Sequence, residues 1–302
     1  MKIRRGFQGI LCLPVTPFTR DDEIDESTLR SIVDIIIGDG VDGLVATGAT
    51  GEFTYLSHEE RKKVQEIVLD QAKGRVPVLA GTGATSTKEA IAFTRHAKDI
   101  GCDGVMLCQP LMTGVKDVQV YNYFKMIANV DIPIIVYNTD LTQLISQDLV
   151  IKLVSEFSNI VSYKEDDFTY SRFAEIIRTC KKDITILTGN PSVLLSFLTL
   201  GAHGALCAEF QSFPHLVKGV YESYKKGDLP KALEFHEGIM EMFKIIKTNF
   251  GNASFAARYK AIFKLRGVDL ELAVRDPNIP VSPEQLERAA PKFTKLGLQK
   301  VL

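Results

Sequence analysis

Eight short apolar runs recur along the chain: "GILCLPV" (9–15), "GLVATG" (43–48), "VPVLAGTG" (76–83), "GVMLCQP" (104–110), "IPIIVYN" (132–138), "IVSYKE" (160–165), "ITILTGN" (184–190) and "GALCAE" (204–209). They are continuous rather than alternating, the pattern of strands covered on both faces. The stretches between them mostly carry helical apolar spacing. "STLRSIVDIIIGDG" and "SHEERKKVQEIVLDQAKG" start at serine and end near glycine, as capped helices do, and Ser57 with Glu60 and Ser86 with Glu89 have capping-box spacing. Eight strand–helix units predict an α/β fold of the (β/α)₈ TIM barrel class. A doubly wound open sheet is the alternative, and the count of eight favours closure. After residue 213 the pattern turns to helices alone. The chain therefore reads as a barrel catalytic domain over 1–225 and a C-terminal helical extension over 226–302, with the first tail helices completing the ring.

Composition narrows the function. A chain of 302 residues with 45% hydrophobic and 24% charged residues buries a substantial core, and a formal net charge of −1 with scattered basic residues excludes a nucleic-acid groove or a basic membrane face. Five cysteines without a CxxC pair argue against a disulfide framework or a zinc cluster. Neither HExxH nor clustered His and Cys supports a metal site, so the expectation is no metal. The N-terminal "MKIRRGFQGILCLPVTPF" is basic and then briefly apolar, but Pro14 interrupts it and no small-residue cleavage site follows. No segment reaches the roughly 18 apolar residues of a membrane helix. The expected location is cytoplasmic.

Barrel chemistry sits at the carboxyl ends of the strands. Strand two ends in "TGATGE" (47–52), strand five in Tyr137–Asn138, strand six in "YKE" (163–165) and strand seven in "TGN" (188–190). Side chains alternate along a strand, so if Lys164 points inward so does Ser162, while Tyr163 and Glu165 point outward. A lysine among apolar neighbours is pushed toward its neutral form, and a neutral amine attacks a ketone to form a Schiff base. Tyr137 is a suitable proton carrier. The backbone N–H groups and Thr50 hydroxyl of "GATGE" are suited to a carboxylate. Plainer readings stand beside these. Lys164 can pair with Glu165, Asp166 or Asp167; Tyr137 can be a core tyrosine; "GATGE" can be a tight turn needing glycine dihedrals.

Taken in order, TPF (16–18), GATGE (48–52), "VPVLAGTGATST" (76–87), YN (137–138), KE (164–165), TGN (188–190) and "LGAHGAL" (200–206) resemble the dihydrodipicolinate synthase / N-acetylneuraminate lyase family, from about residue 7 to 266. The resemblance implies a (β/α)₈ barrel with a helical extension, a homo-oligomer (usually a tetramer) and a Schiff-base lyase acting on pyruvate or a related 2-keto acid without metal or organic cofactor. By that likeness Lys164 is the Schiff-base lysine and Tyr137 the proton-transferring tyrosine. Thr50 holds the keto-acid carboxylate, the Leu206 carbonyl lies beside the pyruvyl group, and Gly189 lies near the substrate's outer end. Several positions depart from the family pattern. Ala49 replaces a hydroxyl that relays protons to the tyrosine. Met112 stands where the synthases carry a tyrosine lent across a dimer interface. Asp140 replaces a proline. Thr142 stands in place of an arginine that grips a distal carboxylate, and a hydroxyl does not replace a bidentate guanidinium. Pro191 and Ser192 stand where sialic acid lyases have acidic residues. These departures point away from aspartate semialdehyde and sialic acid, toward aldol cleavage, condensation or dehydration of a pyruvate-derived acid such as a 2-keto-3-deoxy sugar acid. The alternatives are dihydrodipicolinate synthase itself and a barrel that binds a keto acid without turnover.

Overall fold

The computed structural model describes residues 6–139, 141–167 and 169–301. Asp140 lies outside the described residues. Eight parallel strands close into a barrel in chain order: β1 (Gly9–Cys12), β2 (Gly43–Ala46), β3 (Val78–Gly81), β4 (Gly104–Cys108), β5 (Ile134–Asn138), β6 (Ile160–Glu165), β7 (Thr185–Thr188) and β8 (Gly204–Cys207). The doubly wound alternative is excluded because β1 pairs directly with β8, Gly9 opposite Gly204 and Leu11 opposite Leu206. Both residues at the start of that seam are glycines for a steric reason. Gly204 has φ 148°, and a Cβ on it would lie 1.8 Å from the Gly9 carbonyl oxygen.

Helices α1 (Glu26–Gly38), α2 (His58–Ala72), α3 (Thr87–Asp99), α4 (Asp117–Ala128), α5 (Gln147–Glu156), α6 (Tyr170–Cys180), α7 (Leu194–Leu200) and α8 (Pro214–Lys225) follow the successive strands. Both expected capping boxes form: Ser57 and Ser86 each accept from the backbone N–H of the glutamate three residues on, which reaches back in turn. Helix α1 starts earlier than its serine suggests, because the Asp25 carboxylate takes the Thr28 N–H at 3.0 Å and caps the helix instead. Three helices follow the ring, α9 (Leu229–Phe250), α10 (Phe255–Arg266) and α11 (Pro283–Lys295). Among the described residues no helix is long and apolar enough to cross a membrane.

Alternation along the strands divides the core. Leu11, Val45, Leu79, Met106, Ile135, Leu187 and Leu206 form one cluster of inward residues, nearly free of solvent. Outward residues such as Val105, Val136, Tyr163 and Ile186 pack against the surrounding helices. Each buried aliphatic side chain contributes about 1.5–3 kcal/mol, so the barrel interior is a packed core, and a cavity opens at the strand ends.

Candidate active site

Strands β5 and β6 build the centre of the site. Their register places Tyr137 opposite Lys164 and Asn138 opposite Glu165. The outward pair locks that register: Asn138 Nδ2 donates to Glu165 Oε1 at 2.7 Å, and Tyr163 OH donates to Glu165 Oε2 at 2.5 Å. Arg172 Nε adds a bond to Glu165 Oε2 at 3.3 Å, and the Asn138 carbonyl group of the side chain accepts the Ile145 N–H at 2.8 Å. Buried and fully bonded, this network fixes both strand ends, so the inward neighbours Tyr137 and Lys164 stand side by side. Ser162 shares the inward side and meets Thr185, while Tyr163 and Glu165 face outward, as the alternation predicts.

Lys164 is 4% exposed, and its Nζ lies 3.9 Å from the centroid of the Tyr137 ring. It also lies 3.4 Å from Asp166 Oδ2, the same oxygen that accepts the Tyr137 hydroxyl in a short hydrogen bond. The plainer reading, a lysine paired with a carboxylate at the strand end, is thus correct as far as it goes. It does not place the amine in open solvent. Burial, and then the Asp166 carboxylate, push the Tyr137 phenol well above its ordinary range, so it is a proton donor at neutral pH.

Over these residues opens a cavity of about 710 Å³. Tyr137, Asp166, Gly189 and Ala49 line it, together with Thr142 and Met112. Lys164, Thr50 and Leu206 are not on its wall; each is buried immediately behind residues of the site or in the core, with Thr50 2% and Leu206 0% exposed. Gly189 has a clear reason to be glycine. A Cβ there would fall 1.4 Å from Asp166 Oδ1 and 2.6 Å from Lys164 Cε. The "GATGE" segment is the tight turn its glycines suggest: Ala49–Gly51 form one 3₁₀ turn, and a Cβ on Gly48 would strike Leu13 Cδ2 at 2.2 Å. Thr142 Oγ1 is buried without a hydrogen-bond partner among the described residues, and Met112 is 61% exposed at the mouth. Pro191 and Ser192 lie off the cavity wall.

Other contributors escape the sequence reading. Glu52, buried with φ 57°, pairs with Lys260 of α10 at 2.6 Å, and burial lowers that lysine to about 8 against the pull of Glu52. The other Glu52 oxygen accepts Arg275 N at 3.0 Å and Asn278 Nδ2 at 2.9 Å. Glu209, directly after β8, lines the cavity and accepts Tyr259 OH from α10 at 2.6 Å. Phe255, Ala256 and Asn278 complete that side. The helical tail therefore supplies part of the wall. The available signal was "GALCAE" itself, a strand run ending in an acid as "YKE" does. Among the described residues the wall carries Glu52, Asp166 and Glu209 and no lysine or arginine, and no three His, Cys, Asp or Glu side chains are grouped to hold a metal ion.

Comparison with known proteins adds the following. A sequence model described as the dihydrodipicolinate synthetase family matches residues 6–295. A 4-hydroxy-tetrahydrodipicolinate synthase from Aquifex aeolicus is 36% identical over 248 residues, covering 80% of this chain and 84% of that protein. Another from Nitratidesulfovibrio vulgaris is 33% identical over 97% of this chain and 99% of its own. Among solved structures, dihydrodipicolinate synthase from Aquifex aeolicus superposes with TM-score 0.90 at 31% identity, over 98% of this chain and 100% of that one. YagE, a prophage protein of the dihydrodipicolinic acid synthase family from E. coli K12 solved in complex with pyruvate, superposes with TM-score 0.90 at 28% identity, over 97% and 99%.

Proposed function

Since the chain belongs to the dihydrodipicolinate synthetase family, and is a lyase of its Schiff-base-forming, pyruvate-dependent aldolase type, we propose specific roles for its residues. Lys164 attacks the keto carbon of pyruvate or a pyruvate-derived 2-keto acid, and loss of water gives an iminium that acts as electron sink for C–C bond making or breaking. Tyr137 moves protons at the keto acid. The Ala49–Thr50 turn receives the keto-acid carboxylate, with the Leu206 carbonyl beside the pyruvyl group and Gly189 near the substrate's outer end. The observation that carries the reading is the juxtaposition of a buried amine and a phenol, 3.9 Å from nitrogen to ring centroid, with the phenol lining a cavity at the strand ends and the amine buried directly behind it. A small-molecule 2-keto acid is the partner, and the proposal includes a homo-oligomer, checked by analytical ultracentrifugation.

The test is to treat the protein with pyruvate and borohydride and locate the adduct by mass spectrometry. A reduced pyruvyl group on Lys164, absent from Lys164→Ala, is expected. No adduct from pyruvate or any 2-keto acid rejects covalent catalysis and leaves the non-catalytic binder.

A second reading, 4-hydroxy-tetrahydrodipicolinate synthase, is favoured by the names of the relatives at 32–36% identity. Against it stands the cavity wall, where Thr142 offers a hydroxyl and no guanidinium for the carboxylate of aspartate semialdehyde. A neutral acceptor suits that wall better. Turnover of pyruvate with aspartate semialdehyde at rates above those with neutral aldehydes would decide for the synthase.

A further inference from the structure

Glu209 has no part in the roles above. It is 3% exposed, it lines the cavity, and its two oxygens differ. Oε1 accepts the Tyr259 phenol at 2.6 Å, whereas Oε2 is buried with no hydrogen-bond partner among the described residues. A buried carboxyl oxygen without a partner, on a residue that lines the cavity, is a position for a substrate hydroxyl or carbonyl. The groups that act on Glu209 come from four sides. Lys164 and Asp166 lie at the end of β6, Tyr259 on α10, and the buried thiols of Cys12 and Cys207 on β1 and β8. Arg258 acts on Tyr259 from the same helix.

We propose that Glu209 is the acid–base group for the second substrate, exchanging a proton through Oε2 with the oxygen on the carbon that bonds to the keto acid. The assignment rests on the Schiff-base reading. In condensation the enamine carbon on Lys164 attacks the aldehyde carbon and a C–C bond forms. The carbonyl π pair moves to oxygen, which takes the proton from Glu209, leaving a carboxylate and an iminium. In cleavage the carboxylate takes the hydroxyl proton, the C–C bond breaks, and its electron pair flows back into the iminium to give the enamine, whose carbon takes a proton from Tyr137 to restore the iminium. Water then releases the keto acid from the lysine. The work is divided because Tyr137 is held by Asp166 at the keto-acid end, while Glu209 reaches the cavity from the turn after β8, two strands from β6.

The environment suits the task. Burial raises Glu209 to about 7, opposed by the hydrogen bonds from Tyr259 and its own backbone and by Lys164, and reinforced by Asp166. A group half protonated near neutrality both gives and takes a proton readily. Tyr259 is a positioning residue, since it holds Oε1 and leaves Oε2 unbonded among the described residues.

The experiment compares the full-length wild type with Glu209→Gln and Tyr259→Phe. Three readouts separate the stages. These are the borohydride-trapped pyruvate adduct on Lys164, deuterium exchange into the pyruvate methyl group, and condensation of pyruvate with acetaldehyde, glyceraldehyde, benzaldehyde or aspartate semialdehyde. In Glu209→Gln the adduct and the exchange are expected within about threefold of wild type, while condensation with the best aldehyde falls about 10²- to 10³-fold and no longer declines above pH 7. Tyr259→Phe retains condensation and moves the pH at which it declines. Condensation in Glu209→Gln within about threefold of wild type overturns the proposal, as does a parallel loss of methyl exchange. A wild type that forms the adduct but condenses with none of the four aldehydes overturns it too. A wild type that forms no adduct brings down the Schiff-base reading and this inference with it, a result distinct from the others because it shows at the first readout.

Discussion

Lys164 and Tyr137 converge on one atom, Asp166 Oδ2, with the lysine nitrogen 3.4 Å from it and the phenol bonded to it. That oxygen bridges the amine and the phenol. Asp166 thus links the two residues on which the proposed chemistry depends, and the phenol owes part of its resistance to ionisation to it.

Replacing Tyr137 with Phe removes the proton carrier and leaves the amine. Turnover is expected to fall by about 10²- to 10⁴-fold, while the ring that lies over Lys164 is kept. Steady-state kinetics with pyruvate and the best aldehyde provide the measure, and activity within a few-fold of wild type would remove Tyr137 from the mechanism.

Gly189→Ala puts a methyl group where Asp166 Oδ1 and Lys164 Cε already stand, at 1.4 and 2.6 Å. One of them must move. Since a displacement of about 1 Å at a reacting centre can cost about 10²-fold, the rate of adduct formation on Lys164 should drop at least tenfold. An unchanged trapping rate would show that the cavity floor yields freely.

Lys260→Met leaves Glu52 buried without its cation. Breaking such a pair costs about 3–5 kcal/mol, whereas replacing both charges is far milder. Urea unfolding should therefore show a large loss in Lys260→Met and recovery of at least about half of it in Glu52→Gln/Lys260→Met. Equal losses in both variants would mean the pair itself, not the orphaned carboxylate, sets the stability.

The Glu209 carboxyl also leaves a mark on stability. Its native value of about 7 lies above the ordinary 4.5, so between those limits the native chain holds a proton that the unfolded chain has released. Its contribution is fully present below about pH 4.5 and is lost as pH rises through 7, by on the order of 3 kcal/mol. Against Glu209→Gln, which stays neutral, the wild type should be relatively more stable at pH 5 than at pH 8. A gap independent of pH would contradict the raised value.

Thr142→Arg would place a guanidinium on a wall that has none. Charge-assisted bonds contribute about 1.5–3 kcal/mol, so kcat/KM for aspartate semialdehyde should rise about tenfold or more relative to neutral aldehydes. The comparison of the two acceptors on one variant checks it.

What could be read in advance follows the range of the interactions. The barrel was legible because each strand announces itself by a local apolar run and each turn by local glycine or capping chemistry, as at Ser57 and Gly48. Lys164, Tyr137, Gly189 and Ala49 were legible as polar or small residues at strand ends. Asp166 was visible only as one of three carboxylates near the lysine, since the sequence does not say which way each turns. Glu209 and its partner Tyr259 are 50 positions apart, and Glu52 and Lys260 are 208 apart. Nothing local marks such pairs, because both depend on where α10 comes to rest. The start of α1 was misplaced by a local competition, in which Asp25 rather than Ser27 caps the helix.

The reach of α10 to the strand ends also has a bearing on biosynthesis. When β8 has emerged from the ribosome, all eight strands exist, yet Tyr259 and Lys260 have still to be translated. A nascent polypeptide at that stage already carries Lys164 but not the finished chamber around it, so the chamber closes only after α10 has been made.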